Sequence, residues 1–236
     1  MKRMLSRVRR AVDDYGMIQE GDRIAIGVSG GKDSLTLLCV LAALRRFYPK
    51  RFELTAVSLH MGYEGMSFDK VKELCKELEI PYVVKDTDIA EVIFDVRKEK
   101  NPCSLCAKMR RGGVNDLAGE LGCNKVALGH HNEDVLETFF LSLFFEGRLN
   151  CFSPVTYLSR RDIHVIRPMI YVPEGDIKGF ARRQNLPIVH NPCPMDGVSK
   201  RQDMKEFIAG KVQEDKFFKT KIMHAIQTGL DDWKIH

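Results

Sequence analysis

No stretch of this chain approaches the roughly 20 consecutive apolar residues that a membrane-spanning helix requires. The strongest candidate, VLETFFLSLFF at 135–145, is short and bounded by Asp134 and Glu146. It reads as a core helix, and no membrane association is expected. The N-terminal MKRMLSRVRR has no apolar segment of the kind a secretory signal carries, and it runs into Asp13 and Asp14, unlike an acid-poor transit peptide. A cytoplasmic location is therefore expected, where thiols stay reduced. Seven cysteines in that setting point to metal or redox chemistry more than to disulfides. Low-complexity segments and internal repeats are also lacking, which excludes solenoids and arrays.

What remains is an ordinary folded chain of 236 residues with 44% hydrophobic content, enough for one sizeable core. Its 37 basic and 32 acidic residues leave a net charge of +5. That excess permits a nucleic-acid partner without requiring one. Strand-like and helix-like stretches alternate: strands at 23–29, 52–60, 81–86, 125–130 and 164–169, helices at 32–47, 68–79, 132–146 and 174–185. A loop holding NPCSLC leads into a further helix that ends near 121. Alternation at this pitch predicts an α/β fold, a parallel sheet with helices on both faces. Residues 1–20 read as a short basic N-terminal helix, 21–190 as the main domain, and 191–236 as a C-terminal tail with a cysteine and a charged helix. In sheets of this kind ligands sit at the carboxyl ends of the strands.

One such end carries AIGVSGGKDSLTLLCVLAAL, residues 25–44. Two glycines, a lysine and an aspartate stand between a buried strand and a largely apolar helix. The turn suits an anion, because glycine allows close backbone approach and the first helical N–H groups have no intrahelical partner. It contains neither G-x-x-x-x-G-K-[ST] nor G-x-G-x-x-G. Ser29-Gly30-Gly31-Lys32-Asp33-Ser34 instead resembles the PP-loop signature S-G-G-x-D-S of the ATP pyrophosphatase superfamily, which splits ATP between its α and β phosphates. Backbone donors and Lys32 would then stabilise phosphate charge, Asp33 would hold Mg²⁺, and Ser34 would donate at the helix start. Ser58 and His60 close the second strand, where such enzymes contact adenosine, and Gly129-His130-His131-Asn132-Glu133-Asp134 closes a later one. Asp134 reads equally as a catalytic or metal-binding carboxylate and as a helix cap. The two adjacent histidines diverge, so one of them packs or caps.

Cys103 and Cys106 form a C-x-x-C, a spacing shared by zinc sites, iron–sulfur clusters and redox disulfides. No second C-x-x-C completes a four-cysteine zinc site. The third cysteine available in a loop is Cys193, between Pro192 and Pro194, and three cysteines suit a cluster with one open iron. Cys39 and Cys75 read as core thiols, and Cys123 and Cys151 sit at loop junctions. Arg110 and Arg111 follow the C-x-x-C by one helical turn. The N-terminal segment adds Arg7 and Arg10, on a helix whose Met4, Leu5, Val8 and Val12 would dock inward. These cations fit RNA phosphates, or simply a solvated face.

SGGKDS, PCSLCAKMRRG, ALGHHNEDVLET and a later cysteine, in this order, are similar to the tRNA 2-thiocytidine synthetase family of the PP-loop superfamily over about residues 20–210. The resemblance implies a three-layer PP-loop fold and thiolation of cytidine 32 in the tRNA anticodon loop. ATP adenylates the C2 oxygen and sulfur then displaces AMP. It implies Lys32, Asp33 and Asp134 as catalytic residues, and Ser29, Gly30, Gly31, Ser34, Ser58, His60, Gly129 and His130 as further ATP contacts. It also implies a [4Fe-4S] cluster on Cys103, Cys106 and Cys193, Mg²⁺, a cysteine desulfurase or sulfide as sulfur donor, and a homodimer. Competing readings are a tRNA 2-thiouridine synthetase, another PP-loop sulfurtransferase or ligase, and a non-catalytic metal- or cluster-bearing RNA-binding module.

Overall fold

The computed structural model describes residues 1–63, 65–97, 102–189, 193 and 200–235. The sheet is built from β1 (Asp22–Gly27), β2 (Phe52–His60), β3 (Tyr82–Asp86), β4 (Lys125–Ala127), β5 (Val155–Leu158) and β6 (Ile163–Ile166). Their order is β3-β2-β1-β4-β6-β5, parallel throughout except for β5, which pairs antiparallel with β6. The antiparallel edge strand departs from the expected all-parallel sheet. Only four residues separate β5 from β6, too few for the crossover that a parallel pair needs.

Successive residues of the central strands face opposite sides, so each strand feeds two cores. Ala25, Val57, Val126 and Val165 share one face with α4 (Ile89–Glu91) and α5 (Pro102–Glu120). Ile24, Ile26, Leu54, Ala127 and Ile166 pack on the other with α2 (Lys32–Arg45), α3 (Asp69–Glu77) and α7 (Glu174–Arg183). The two-sided burial explains why these strands read as continuous apolar runs.

The N-terminal helix α1 (Lys2–Asp14) docks on the α2 side through Met4, Val8, Ala11 and Val12. Each large apolar side chain so buried contributes about 1.5–3 kcal/mol. The tail helices α8 (Lys200–Glu214) and α9 (Phe218–Gly229) join the same core through Met204, Ile208, Met223 and Ile226. Trp233 is fully buried; its indole N–H donates to the Phe152 carbonyl, and Tyr15 donates to the Trp233 carbonyl. Both chain ends are thus bound into one core. Among the described residues no helix is long and apolar enough to cross a membrane.

Two local departures matter for the site. The C-x-x-C lies on the first turn of α5, which begins at Pro102, rather than in a loop before it. Proline suits a first helical position, because its missing N–H has no partner there anyway. The helix after β4, α6 (Asn132–Leu141), ends in a π turn over Ser142–Glu146 that Gly147 stops in the left-handed region. The chain leaves β1 toward β2 on one side and later places β4 on the other, so the crevice between the ends of β1 and β4 is the point where such sheets bind ligands.

Candidate functional site

The loop after β1 is a closed hydrogen-bonded turn. The Ser34 hydroxyl donates to the Gly31 carbonyl at 3.0 Å and accepts from the Ser29 N–H at 3.1 Å, and it lies 3.2 Å from the Ser29 hydroxyl. Gly30 takes φ +83°, and a β-carbon there would stand 2.6 Å from Val189. Only glycine fits both demands. Val189 donates its N–H to the Gly30 carbonyl at 3.0 Å, which stitches the segment after α7 onto the loop. From the β4 side Gly129 approaches so closely that a β-carbon would sit 3.1 Å from the Asp33 carbonyl and the Ser34 nitrogen. Thus Ser29, Gly30, Gly31, Lys32, Asp33, Ser34 and Gly129 come together at the β1/β4 crevice.

Charge around this turn is paired rather than loose. The Lys32 ammonium lies 2.9 Å from Asp33 and 3.1 Å from Glu174, the first residue of α7. Burial pulls the Lys32 pKa down, but the two carboxylates outweigh it and raise it above the ordinary lysine value. Burial likewise pushes Glu174 up, yet Lys178 and Lys32 hold its carboxyl down at about 2. His131 is 3% exposed and stands between the two expected carboxylates, with Nε2 3.8 Å from Asp33 and 3.4 Å from Asp134. Burial disfavours its charge, but Glu133, Asp134 and Asp33 together raise its pKa. Asp134 accepts the His131 N–H at 2.9 Å, as a capping box, and pairs with Arg201 of α8 at 3.0 Å. Its cap role and its position beside Asp33 are therefore both real. Glu133, held at about 2 despite burial by His131 and Lys219, bonds Lys219 of α9 and the Glu174 N–H.

The other rim residues divide. Ser58 is 1% exposed; its hydroxyl donates to the Val28 carbonyl and accepts from Tyr82. His60 spends both ring nitrogens on its own loop, near the Met66 carbonyl at 3.1 Å and the Gly62 N–H at 3.3 Å. His130 lies against Phe152, ring centres 4.8 Å apart and ring planes tilted by 34°. The residue facing Asp33 is His131, which sequence reasoning passed over along with Glu133, Glu174 and Arg201. The capping pattern H-N-E-D could have singled out His131. Glu174 and Arg201 carry no signal of that kind.

The structure brings Cys103, Cys106 and Cys193 into one neighbourhood. Burial raises the Cys106 pKa; Arg110, which bonds the sulfur, opposes it, and Cys193 and Cys103 act on the same thiol. The Tyr63 hydroxyl bonds Cys193, and burial with that contact raises its own pKa. Cys103 is exposed, and Cys106 and Cys193 are half-buried. An all-thiol set flanked by a guanidinium and a hydroxyl has the donor chemistry of an iron–sulfur site. Among the described residues no trio of His, Cys, Asp or Glu side chains is already drawn into a metal-holding arrangement. The residues at 190–192 and 194–199 that flank Cys193 lie outside the described ones. Cys39, Cys75, Cys123 and Cys151 are buried, as core thiols.

The expected RNA-facing cations differ in availability. Arg7 is spent on an ion pair with Asp176 of α7, and Arg10 lies over the Tyr171 ring at 5.5 Å, near Asp14. Arg110 serves Cys106. Arg111 bonds the Ala107 carbonyl of its own helix at 3.2 Å and has no acidic partner among the described residues.

A PP-loop domain model matches residues 2–210. The chain is 40% identical over 228 residues to a Geobacter sulfurreducens protein named tRNA-cytidine(32) 2-sulfurtransferase, covering 95% of this chain and 89% of that one. A Pelobacter propionicus protein of the same name is 41% identical over 228 residues, 95% and 85% of the two chains. Among solved structures, the U34-tRNA thiolase NcsA from Methanococcus maripaludis with its [4Fe-4S] cluster superposes with a TM-score of 0.80 at 24% identity, over 98% of this chain and 78% of that one. That likeness concerns the fold.

Proposed function

This chain belongs to the PP-loop family of tRNA 2-thiocytidine synthetases, and from that premise we propose that it thiolates cytidine 32 of tRNA at C2 at the expense of ATP. The observation that carries the reading is the convergence of the SGGKDS turn, Asp134 and His131 at the β1/β4 crevice, on the same rim as the Cys103, Cys106 and Cys193 thiols.

The turn offers pyrophosphate its free N–H groups and the start of α2. Lys32 neutralises phosphate charge when it exchanges a carboxylate partner for a phosphate oxygen. The cytosine C2 oxygen attacks the α-phosphorus, and the bond to pyrophosphate breaks. Adenylation makes that oxygen a leaving group; sulfur then adds at C2 and AMP departs with the oxygen. His131, with its charge favoured, is placed to steady Asp33 and Asp134 while they orient the nucleotide. Asp33 and Asp134 would hold Mg²⁺, whose chemistry there is to offset phosphate charge. Cys103, Cys106 and Cys193 would hold a [4Fe-4S] cluster, which supplies an open iron for sulfur. A cysteine desulfurase or sulfide as donor, and a homodimer, belong to the same reading.

The test is anaerobic. Protein reconstituted with iron and sulfide is incubated with ATP, Mg²⁺, sulfide and unmodified tRNA, and the digested RNA is examined by mass spectrometry. ATP-dependent 2-thiocytidine is expected. Thiouridine instead would move the acceptor to another base, and AMP release without any thionucleoside would remove tRNA as acceptor.

A further inference from the structure

Arg167, the first residue after β6, is a buried cation. It is 9% exposed, yet among the described residues no carboxylate pairs with it. Nη1 donates to the Ser153 carbonyl at 2.5 Å and to the Thr156 hydroxyl at 3.1 Å, which ties down β5. Nε is buried with no hydrogen-bond partner. The guanidinium lies over the Phe152 ring at 5.0 Å, and His130 also lies against that ring, its Nδ1 buried and unpartnered. Burial, with Cys151 opposing it and Arg111 adding to it, lowers the Arg167 pKa to about 10. Arg111 likewise has no acidic partner among the described residues. A desolvated guanidinium within electrostatic range of a second cation is unfavourable unless an anion arrives.

Position supplies the rest. Asp134 and Arg201 act electrostatically on His130 and Cys151, and Arg167 acts on both as well. On the far side Arg111 adjoins Arg110, which bonds Cys106. Arg167 and Arg111 therefore stand on the rim between the nucleotide crevice and the thiols, at the carboxyl ends of β4 and β6.

We propose that Arg167 and Arg111, walled by Phe152 and His130, form a phosphate site that takes a backbone phosphodiester of the acceptor RNA. The inference rests on the thiolation reading and places the acceptor nucleotide between Asp134 and Cys106. Nε of Arg167 has no hydrogen-bond partner among the described residues, and with Nη2 it forms the edge of the guanidinium that suits two parallel bonds to one phosphate group. The Nη1 bonds account for β5 and leave that second edge of the guanidinium unexplained.

Binding of an unmodified anticodon stem–loop RNA is measured across a salt series for the full protein, for Arg167→Gln and for the surface variant Arg111→Ala, beside titrations with ATP and Mg²⁺. Expected are about tenfold weaker RNA binding and a salt slope smaller by about 1 in each variant, with ATP affinity kept. Lost ATP affinity with RNA binding intact would assign the site to a nucleotide phosphate and overturn the proposal. Unchanged RNA affinity and slope in Arg111→Ala and in a folded Arg167→Gln would overturn it outright. Should Arg167→Gln fail to fold, Arg111→Ala decides alone. Failure of the unaltered protein to bind RNA defeats the thiolation reading itself, a separate result.

Discussion

The two halves of the rim are prepared differently. Around the SGGKDS turn every strong charge has a partner: Lys32 meets Asp33 and Glu174, Asp134 meets Arg201, and Glu133 meets Lys219. Around the thiols matching is partial: Arg110 bonds Cys106 and Tyr63 bonds Cys193, whereas Cys103 is exposed, Arg111 has no acidic partner among the described residues and Arg167 is buried near it. The first half is finished by folding alone, and its ligand must displace existing pairs. The second is finished only by what binds there.

The sharpest test of that contrast is Asp33→Ala, which is expected to lower AMP release by at least about a hundredfold and to take the thionucleoside with it. Undiminished AMP release would erase the division. Next, Cys106→Ala is expected to abolish the thionucleoside and the iron–sulfur absorption of reconstituted protein while ATP affinity stays within about twofold, as measured by equilibrium dialysis. ATP affinity falling with the cluster would show that the halves are one unit. The smallest effect is thermodynamic. Because Glu174 titrates near 2 in the fold against an ordinary 4.5, its ionised form stabilises the protein above pH 4.5, and that contribution fades as pH falls toward 2. Glu174→Gln should therefore cost on the order of 1 kcal/mol at pH 7 by urea unfolding, with the gap closing through that acid window.

Local patterns carried most of the fold. Apolar runs and helical spacing placed β1, β2, α2 and α6 within a few residues, because burial on both faces writes a periodic or continuous signal. The edge strand β5 escaped notice: it is four residues long, with only partial burial and no alternation to mark it. At the site the loop was legible, since its glycine demands are local. The partners that complete it were not. Glu174 lies 142 positions from Lys32 and Arg201 lies 67 from Asp134; pairs brought together by topology leave no spacing to read. His131 was passed over for His130 because adjacent side chains diverge, and sequence alone does not say which faces the crevice.

The bond from Val189 to the Gly30 carbonyl acts as a leash. Cys193 follows Val189 by four residues, and a fully extended chain spans at most about 3.5 Å per residue, or roughly 14 Å in all. Chain length alone therefore keeps the Cys193 thiol on a short radius about the SGGKDS turn, so whatever the thiols hold is held within reach of the glycine loop.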